Sequence, residues 1–183
     1  MNKKILGAFV AVLTVAMLTL PMSVVFAAKP MDVSGQWFFT GMMVPPYTAI
    51  KNAGANRLAT QHNTGEYDVG PILGTFEQHI YMKIHFGDPE VVKNLPPNPM
   101  DWPPNNYNWH IERTFTGTVD GKSGTLTMNL EAKGSSPGYP GSLTGTWVII
   151  GGTDQLANLH GQGTWTNLGM GRLAYEGKIH FDP

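Results

Sequence analysis

Two polar residues sit where the chain is otherwise apolar, and they are the first candidates for chemistry. Arg113 shares its strand parity with Trp109, Ile111 and Phe115, and Gln78 shares its parity with Phe76 and Ile80. A buried guanidinium without a partner is very costly. Arg113 must therefore pair internally, reach the mouth of the fold, or sit at a bulge that turns it outward. A functional alternative is a polar anchor for a ligand carboxylate inside an apolar pocket. The six histidines suggest metal binding, which needs three or four converging ligands. His79 and His85 lie about 20 Å apart on one strand face. His62, His110, His160 and His180 have no partner at ligand spacing in the sequence. Solvent-facing histidines and no metal site are the expectation, and Glu77 reads as a surface carboxylate rather than a general base.

Other catalytic patterns are missing from the sequence. There is no cysteine, which removes disulfides, thiolate ligands and a cysteine nucleophile. No Gly-x-Ser-x-Gly elbow, phosphate loop or dinucleotide fingerprint occurs, so no cofactor is expected and no catalytic residue is assigned. Among the five tryptophans, Trp37, Trp109, Trp147 and Trp165 follow apolar parities and read as core. Trp102, in MDWPPNNYNW, reads as exposed and suited to a lid or partner contact.

The elements that must position these residues are strands. Twenty-two glycines, fourteen prolines and many threonines, with hardly a run of strong helix formers, indicate an all-β protein. Over Thr75 to Phe86 the even positions are apolar and the odd ones largely polar, a half-buried strand. Asp120-Gly121 between two alternating runs predicts a type I′ hairpin. Pairing Val119 with Lys122 sets Phe115 against Leu126, Ile111 against Leu130 and Trp109 beside Ala132. The other face then pairs Thr116 with Thr125, Thr114 with Thr127 and His110 with Glu131. Arg113 falls opposite Met128. A one-residue slip would reverse every face. Further strands are expected at Ser34 to Met42, Asn56 to His62, Ser142 to Ile150, His160 to Asn167 and Arg172 to Phe181. In the last, Leu173, Tyr175, Ile179 and Phe181 share one face. Such strands close most economically as an antiparallel barrel of about eight, which removes exposed edges. A two-sheet sandwich is the structural rival. Residues 87–107 carry six prolines and read as a loop insertion, a lid or a flexible segment.

The first 27 residues have the layout of a secretory leader. Lys3 and Lys4 precede a charge-free run from Ile5 to Leu20, Pro21 ends it, and Val25-Phe26-Ala27 is a small-x-small cleavage site. The run is shorter than the roughly 20 residues that span a bilayer. Cleavage after Ala27, a secreted or extracytoplasmic location and no stable membrane anchor are expected, leaving 28–183 as one domain. Without Lys3 and Lys4, ten of the twelve Lys/Arg face thirteen Asp/Glu, a net charge of −3. With no basic run, nucleic acid is not an expected partner.

Two stretches carry a resemblance: FTGTVDGKSGTLTMNLEAKG (Phe115 to Gly134) and GTWVIIGGTDQLANLHGQGTW (Gly145 to Trp165). The chain resembles a bacterial and archaeal domain family of unknown function whose members are expected to adopt the allene oxide cyclase barrel. Plant allene oxide cyclases and dirigent proteins share the Gly-rich plug-and-return theme. The resemblance spans roughly Tyr107 to Phe181 and rests on turn and packing residues. It implies a lumen that binds a small apolar molecule, and it places no catalytic residue here. The functional expectation is thus an exported barrel holding a small apolar ligand in its lumen or mouth, with Gln78, Trp109, Arg113 and Tyr175 as contacts. A cyclase or isomerase on a small hydrophobic substrate is the alternative, and it needs an inward ionisable residue. A structural role as a homo-oligomer is the third reading.

Overall fold

Alternation produces a continuous antiparallel sheet, and the sheet closes on itself. The structure is a computed structural model that describes residues 29–41, 49–97, 101–136 and 143–183. The expected leader over 1–27 and the N-terminal end of the Ser142 strand lie outside the described residues. Nine strands run in chain order: β1 (Met31–Gly41), β2 (Ala49–Ala53), β3 (Asn56–Val69), β4 (Ile72–His85), β5 (Asn105–Val119), β6 (Lys122–Ser136), β7 (Thr144–Gly152), β8 (Leu159–Gly169) and β9 (Arg172–Phe181). The sheet order is β1-β9-β8-β7-β6-β5-β4-β3-β2, and β1 also pairs with β3. That pairing, with Trp37 opposite Tyr67 and Phe39 opposite Gly65, closes a barrel of eight strands. β2 is an extra strand on β3. A closed sheet rules out the sandwich.

The register of the Asp120-Gly121 hairpin is the one set by its apolar sorting. Phe115 faces Leu126, Ile111 faces Leu130 and Arg113 faces Met128. Asp120 and Gly121 take the positive φ values, 50° and 77°, that a type I′ turn requires. β4 alternates as the sequence predicts, with Ile72, Phe76, Gln78, Ile80, Met82 and Ile84 buried. Two expectations change. β3 extends to Val69 rather than ending at His62, because its second half is the seam that receives β1. β2 is too short and mixed in polarity to show as alternation, and it was not expected.

β7 and β8 are locked by a repeated tripeptide. Gly-Thr-Trp occurs at 145–147 and again at 163–165. Antiparallel pairing sets Gly145 opposite Trp165 and Trp147 opposite Gly163. Each indole lies over the facing glycine: a Cβ on Gly145 would meet Trp165 at 2.6 Å, and one on Gly163 would meet Trp147 at 2.6 Å. The indole N–H groups donate to backbone, Trp165 Nε1 to Thr146 O at 3.2 Å and Trp147 Nε1 to Thr164 O at 3.2 Å. Buried aromatic bulk and buried N–H groups are thus satisfied by the same pair of strands.

Both ends of the barrel are stoppered. At one end a 3-10 turn (Asp154–Leu156) drives Leu156 fully inside beside Leu159, and Thr153 N bonds Thr125 O at 2.9 Å. At the other, the proline segment departs from a plain loop. It forms a short helix, α1 (Pro89–Lys93), capped by Asp88, with Val92 buried. Trp102, expected to be exposed, is half-buried against Phe86 with ring centroids 5.7 Å apart. Its indole N–H donates to Pro96 O at 2.9 Å, and Arg57 stacks on it at 4.9 Å. The Trp102 ring thus packs at this end of the barrel, against Phe86 and Arg57. Gly145→Ala should cost about 1–3 kcal/mol, because the new Cβ would also meet Glu131 O at 1.9 Å; urea unfolding measures it, and a neutral result would contradict the Trp-Gly lock.

Candidate functional site

The barrel interior contains one charge, and the way it is held determines what the interior can do. Across β3, β4, β5 and β6 the inward row is Asn63, Gln78, Arg113 and Met128. Asn63, Gln78 and Arg113 are the buried polar or charged residues among those described. Of the three expectations for Arg113 the first holds: it pairs internally, though with neutral partners rather than a carboxylate, and no bulge interrupts its strand. Its guanidinium lies in the angle between two perpendicular rings, 4.0 Å from the centroid of Trp37 and 3.9 Å from that of Phe76. Nε and Nη2 donate to Gln78 Oε1 at 2.9 and 2.6 Å, and Nη1 donates to the Tyr67 hydroxyl at 2.6 Å. Cation–π contact and neutral acceptors replace a carboxylate. Burial pushes the Arg113 pKa down and the Tyr67 hydroxyl opposes this, but an arginine stays protonated in a protein.

Tyr175 is buried beside the same cluster, its ring 5.5 Å from that of Tyr67. Burial drives its phenol well above the usual range. The Ile72 backbone softens that shift without forming a well-shaped hydrogen bond, for the Tyr175 hydroxyl has no partner in hydrogen-bond geometry. A phenol so placed remains protonated at neutral pH. Gln78 Nε2 and Asn63 Oδ1 are also unpaired; they are a donor and an acceptor on directly opposed residues.

The four residues chosen from sequence therefore divide. Gln78 and Arg113 bond each other, and Tyr175 lies next to them beyond Tyr67. Trp109 stands apart near the proline end, half-buried, its ring stacked on Tyr107 at 5.3 Å and its Nε1 without a partner. The inner gap bounded by Trp37, Tyr67, Ile72, Met128, Leu130, Trp147, Trp165 and Tyr175 is too small for a water molecule. This part of the lumen is occupied by the protein's own side chains. No Asp, Glu or His among the described residues is buried.

Open space lies on the outer wall instead. A groove of about 550 Å³ crosses β2 to β6 near the proline end. Two adjacent outward rows build it. One is Lys51, Leu58, Lys83 and Asn108; the other is Thr60, Tyr81, His110 and Glu131. Ile50, Ala59, Met82 and Trp109 also line it. Ile50, Leu58 and Tyr81 are exposed apolar surface. Glu131 Oε1 contacts His110 Nδ1 at 2.7 Å, and the Tyr81 hydroxyl donates to Glu112 Oε2 at 3.3 Å. Sequence reasoning missed the groove because β2 went unrecognised. The outward pairing of Tyr81 with His110 and Glu131 was the available signal.

The histidines pair across strands rather than along them. His62 faces His79 with ring centroids 4.8 Å apart, and His160 stacks on His180 at 5.4 Å. His160 and His180 both reach Asp182, at 3.1 and 3.4 Å. All lie on the outer wall. Among the described residues, no three His, Asp or Glu groups are arranged to hold a metal ion.

Comparison with known proteins adds to the fold alone. No family model matches the chain, and no curated protein matches it. Among solved structures, the chain is similar to a protein of unknown function of the DUF3224 family from Shewanella oneidensis MR-1. The TM-score is 0.58 at 14% identity, over 85% of this chain and 99% of that one. At that identity the likeness establishes a shared barrel and transfers no chemistry.

The guanidinium cluster gives a direct test. Gln78→Leu should destabilise the protein by about 2–4 kcal/mol, since it strands two charged donors in an apolar interior. Arg113→Leu combined with Gln78→Leu should recover at least 1 kcal/mol of that loss. Urea unfolding of the two variants checks both values, and a harmless Gln78→Leu would mean that the charge is satisfied elsewhere.

Proposed function

We propose that this protein is an exported, non-catalytic binding barrel that holds a small, largely apolar molecule in its outer groove. The observation that carries the reading is the contrast in space. The interior gap excludes even water, whereas the groove offers about 550 Å³ between Ile50, Leu58 and Tyr81, within the range of small-ligand sites. On this reading the ligand sits at the wall beside the proline end rather than in the lumen suggested by the cyclase resemblance. Trp109 takes part by lining the groove, while Gln78, Arg113 and Tyr175 serve the interior.

The cyclase or isomerase alternative draws no support from the inward residues. Proton transfer needs a group that titrates near working pH, and Asn63, Gln78 and Arg113 do not. Export rests on the Lys3-Lys4, apolar-run and Val25-Phe26-Ala27 pattern.

The groove reading is tested by titrating 1-decanol into isotopically labelled protein. Shifts should concentrate on Leu58, Tyr81, Trp109 and His110, and Leu58→Asp, at a 38%-exposed site, should weaken binding about tenfold, the equivalent of ~1.4 kcal/mol. Shifts centred on Tyr175 and Arg113 would return the ligand to the lumen. For export, mass spectrometry of protein from its own host should find Ala28 as the first residue; an intact Met1 N-terminus overturns processing.

A further inference from the structure

We infer that the groove selects amphipathic anions, with Lys51 and Lys83 as the residues that recognise the headgroup; this rests on the groove reading above and names its ligand class. The inference comes from an imbalance between satisfied and unsatisfied charge. The acidic groups at the groove already have partners. Glu131 is held by His110 at 2.7 Å, and neighbouring Glu112 accepts from Tyr81 at 3.3 Å. The basic groups do not. Among the described residues Lys93 pairs with Glu90, Lys178 with Asp32 and Arg172 with Asp68. Lys51, Lys83 and Lys133 pair with none.

Register places these three lysines in one line. Lys51 is opposite Leu58, Leu58 opposite Lys83, Lys83 opposite Asn108, and Asn108 opposite Lys133. Opposed residues in an antiparallel sheet project from the same face. Strands lie about 4.8 Å apart, so Lys51 and Lys83 stand roughly 10 Å from each other with Leu58 between them. Their flexible four-carbon stems let both ammoniums reach one headgroup over that leucine. Lys133 continues the line beyond the groove and adds positive potential. The second row, Thr60, Tyr81 and His110, supplies an aromatic and polar bed beside it. A carboxylate, phosphate or sulfate with a short hydrocarbon tail meets the groups of this arrangement: its charge at Lys51 and Lys83, its tail along Leu58 and Tyr81. A neutral hydrocarbon uses only half of it, and a cation meets two unneutralised ammoniums.

The experiment compares decanoate with 1-decanol, equal in chain length, by calorimetry at low ionic strength. Decanoate should bind about tenfold more tightly, as expected when two exposed ion pairs add together. The advantage should fade as salt is raised. Lys51→Gln with Lys83→Gln should erase the preference, so that decanoate binds no more tightly than decanol to the same variant. Equal binding of the two ligands to the unaltered protein overturns the anion preference and leaves the groove reading standing. Phosphatidylglycerol and phosphatidylcholine vesicles run alongside identify the source of the headgroup. Capture of the anionic vesicles that the double variant loses assigns it to a bilayer lipid, and decanoate binding without capture assigns a free amphiphile. Failure of decanol, decanoate and both vesicles to bind overturns the groove reading itself.

Discussion

Everything in this molecule follows from β1 reaching β3. Once Trp37 lies opposite Tyr67, the sheet has an inside, and that inside must be filled without water at close-packed density. Three buried tryptophans, Leu156 of the 3-10 turn, Leu159 of β8 and the Phe115–Leu126 pair fill most of it. Arg113 fills the remainder. The guanidinium fits the corner that Trp37 and Phe76 form by meeting edge to face, and Gln78 and Tyr67 take its forward donors. The charge thereby acts as a packing element, an arginine set in the angle between two aromatic rings.

A filled interior moves the chemistry outward. In a closed barrel every second residue faces solvent, so the outer wall is as ordered as the core and far more varied. Cross-strand pairing then creates neighbours that the sequence keeps far apart: His62 beside His79, His160 beside His180, Lys51 in line with Lys83. Tyr81 bridges this wall by touching Glu112 and stacking near His110. The outer surface of β3 to β6 is consequently a patterned face, with the paired Glu131 on one row and the unpaired Lys83 and Lys133 on the next.

What could be read in advance was whatever local rules decide. Period-2 alternation gave β4 and β9, and the Asp-Gly dipeptide with its apolar sorting gave the β5–β6 register residue for residue. The barrel rather than a sandwich followed from strand count, and closure bears it out. Long-range partners were harder. Arg113 was visible as an anomaly, but three other strands and three aromatic residues had to converge before its solution appeared. The Gly-Thr-Trp repeat was present in the sequence and passed unremarked; antiparallel reciprocity gives it meaning, and that needs two strands at once. β2 has five residues and no alternation to betray it, so the groove it borders was invisible as well. Trp102 was misplaced because proline-rich segments read as exposed, whereas its ring packs on Phe86 and Arg57, partners far away in sequence.

Within the described residues, β2 is bonded along one side only, to β3. Its other side presents unmatched amides, the kind of template on which extended chains stack into fibrils. Lys51, at its centre, guards against this: antiparallel self-docking about the middle of the strand would bring two ammoniums face to face. A lysine at the centre of that strand therefore opposes pairing of its bare edge with a second copy of itself.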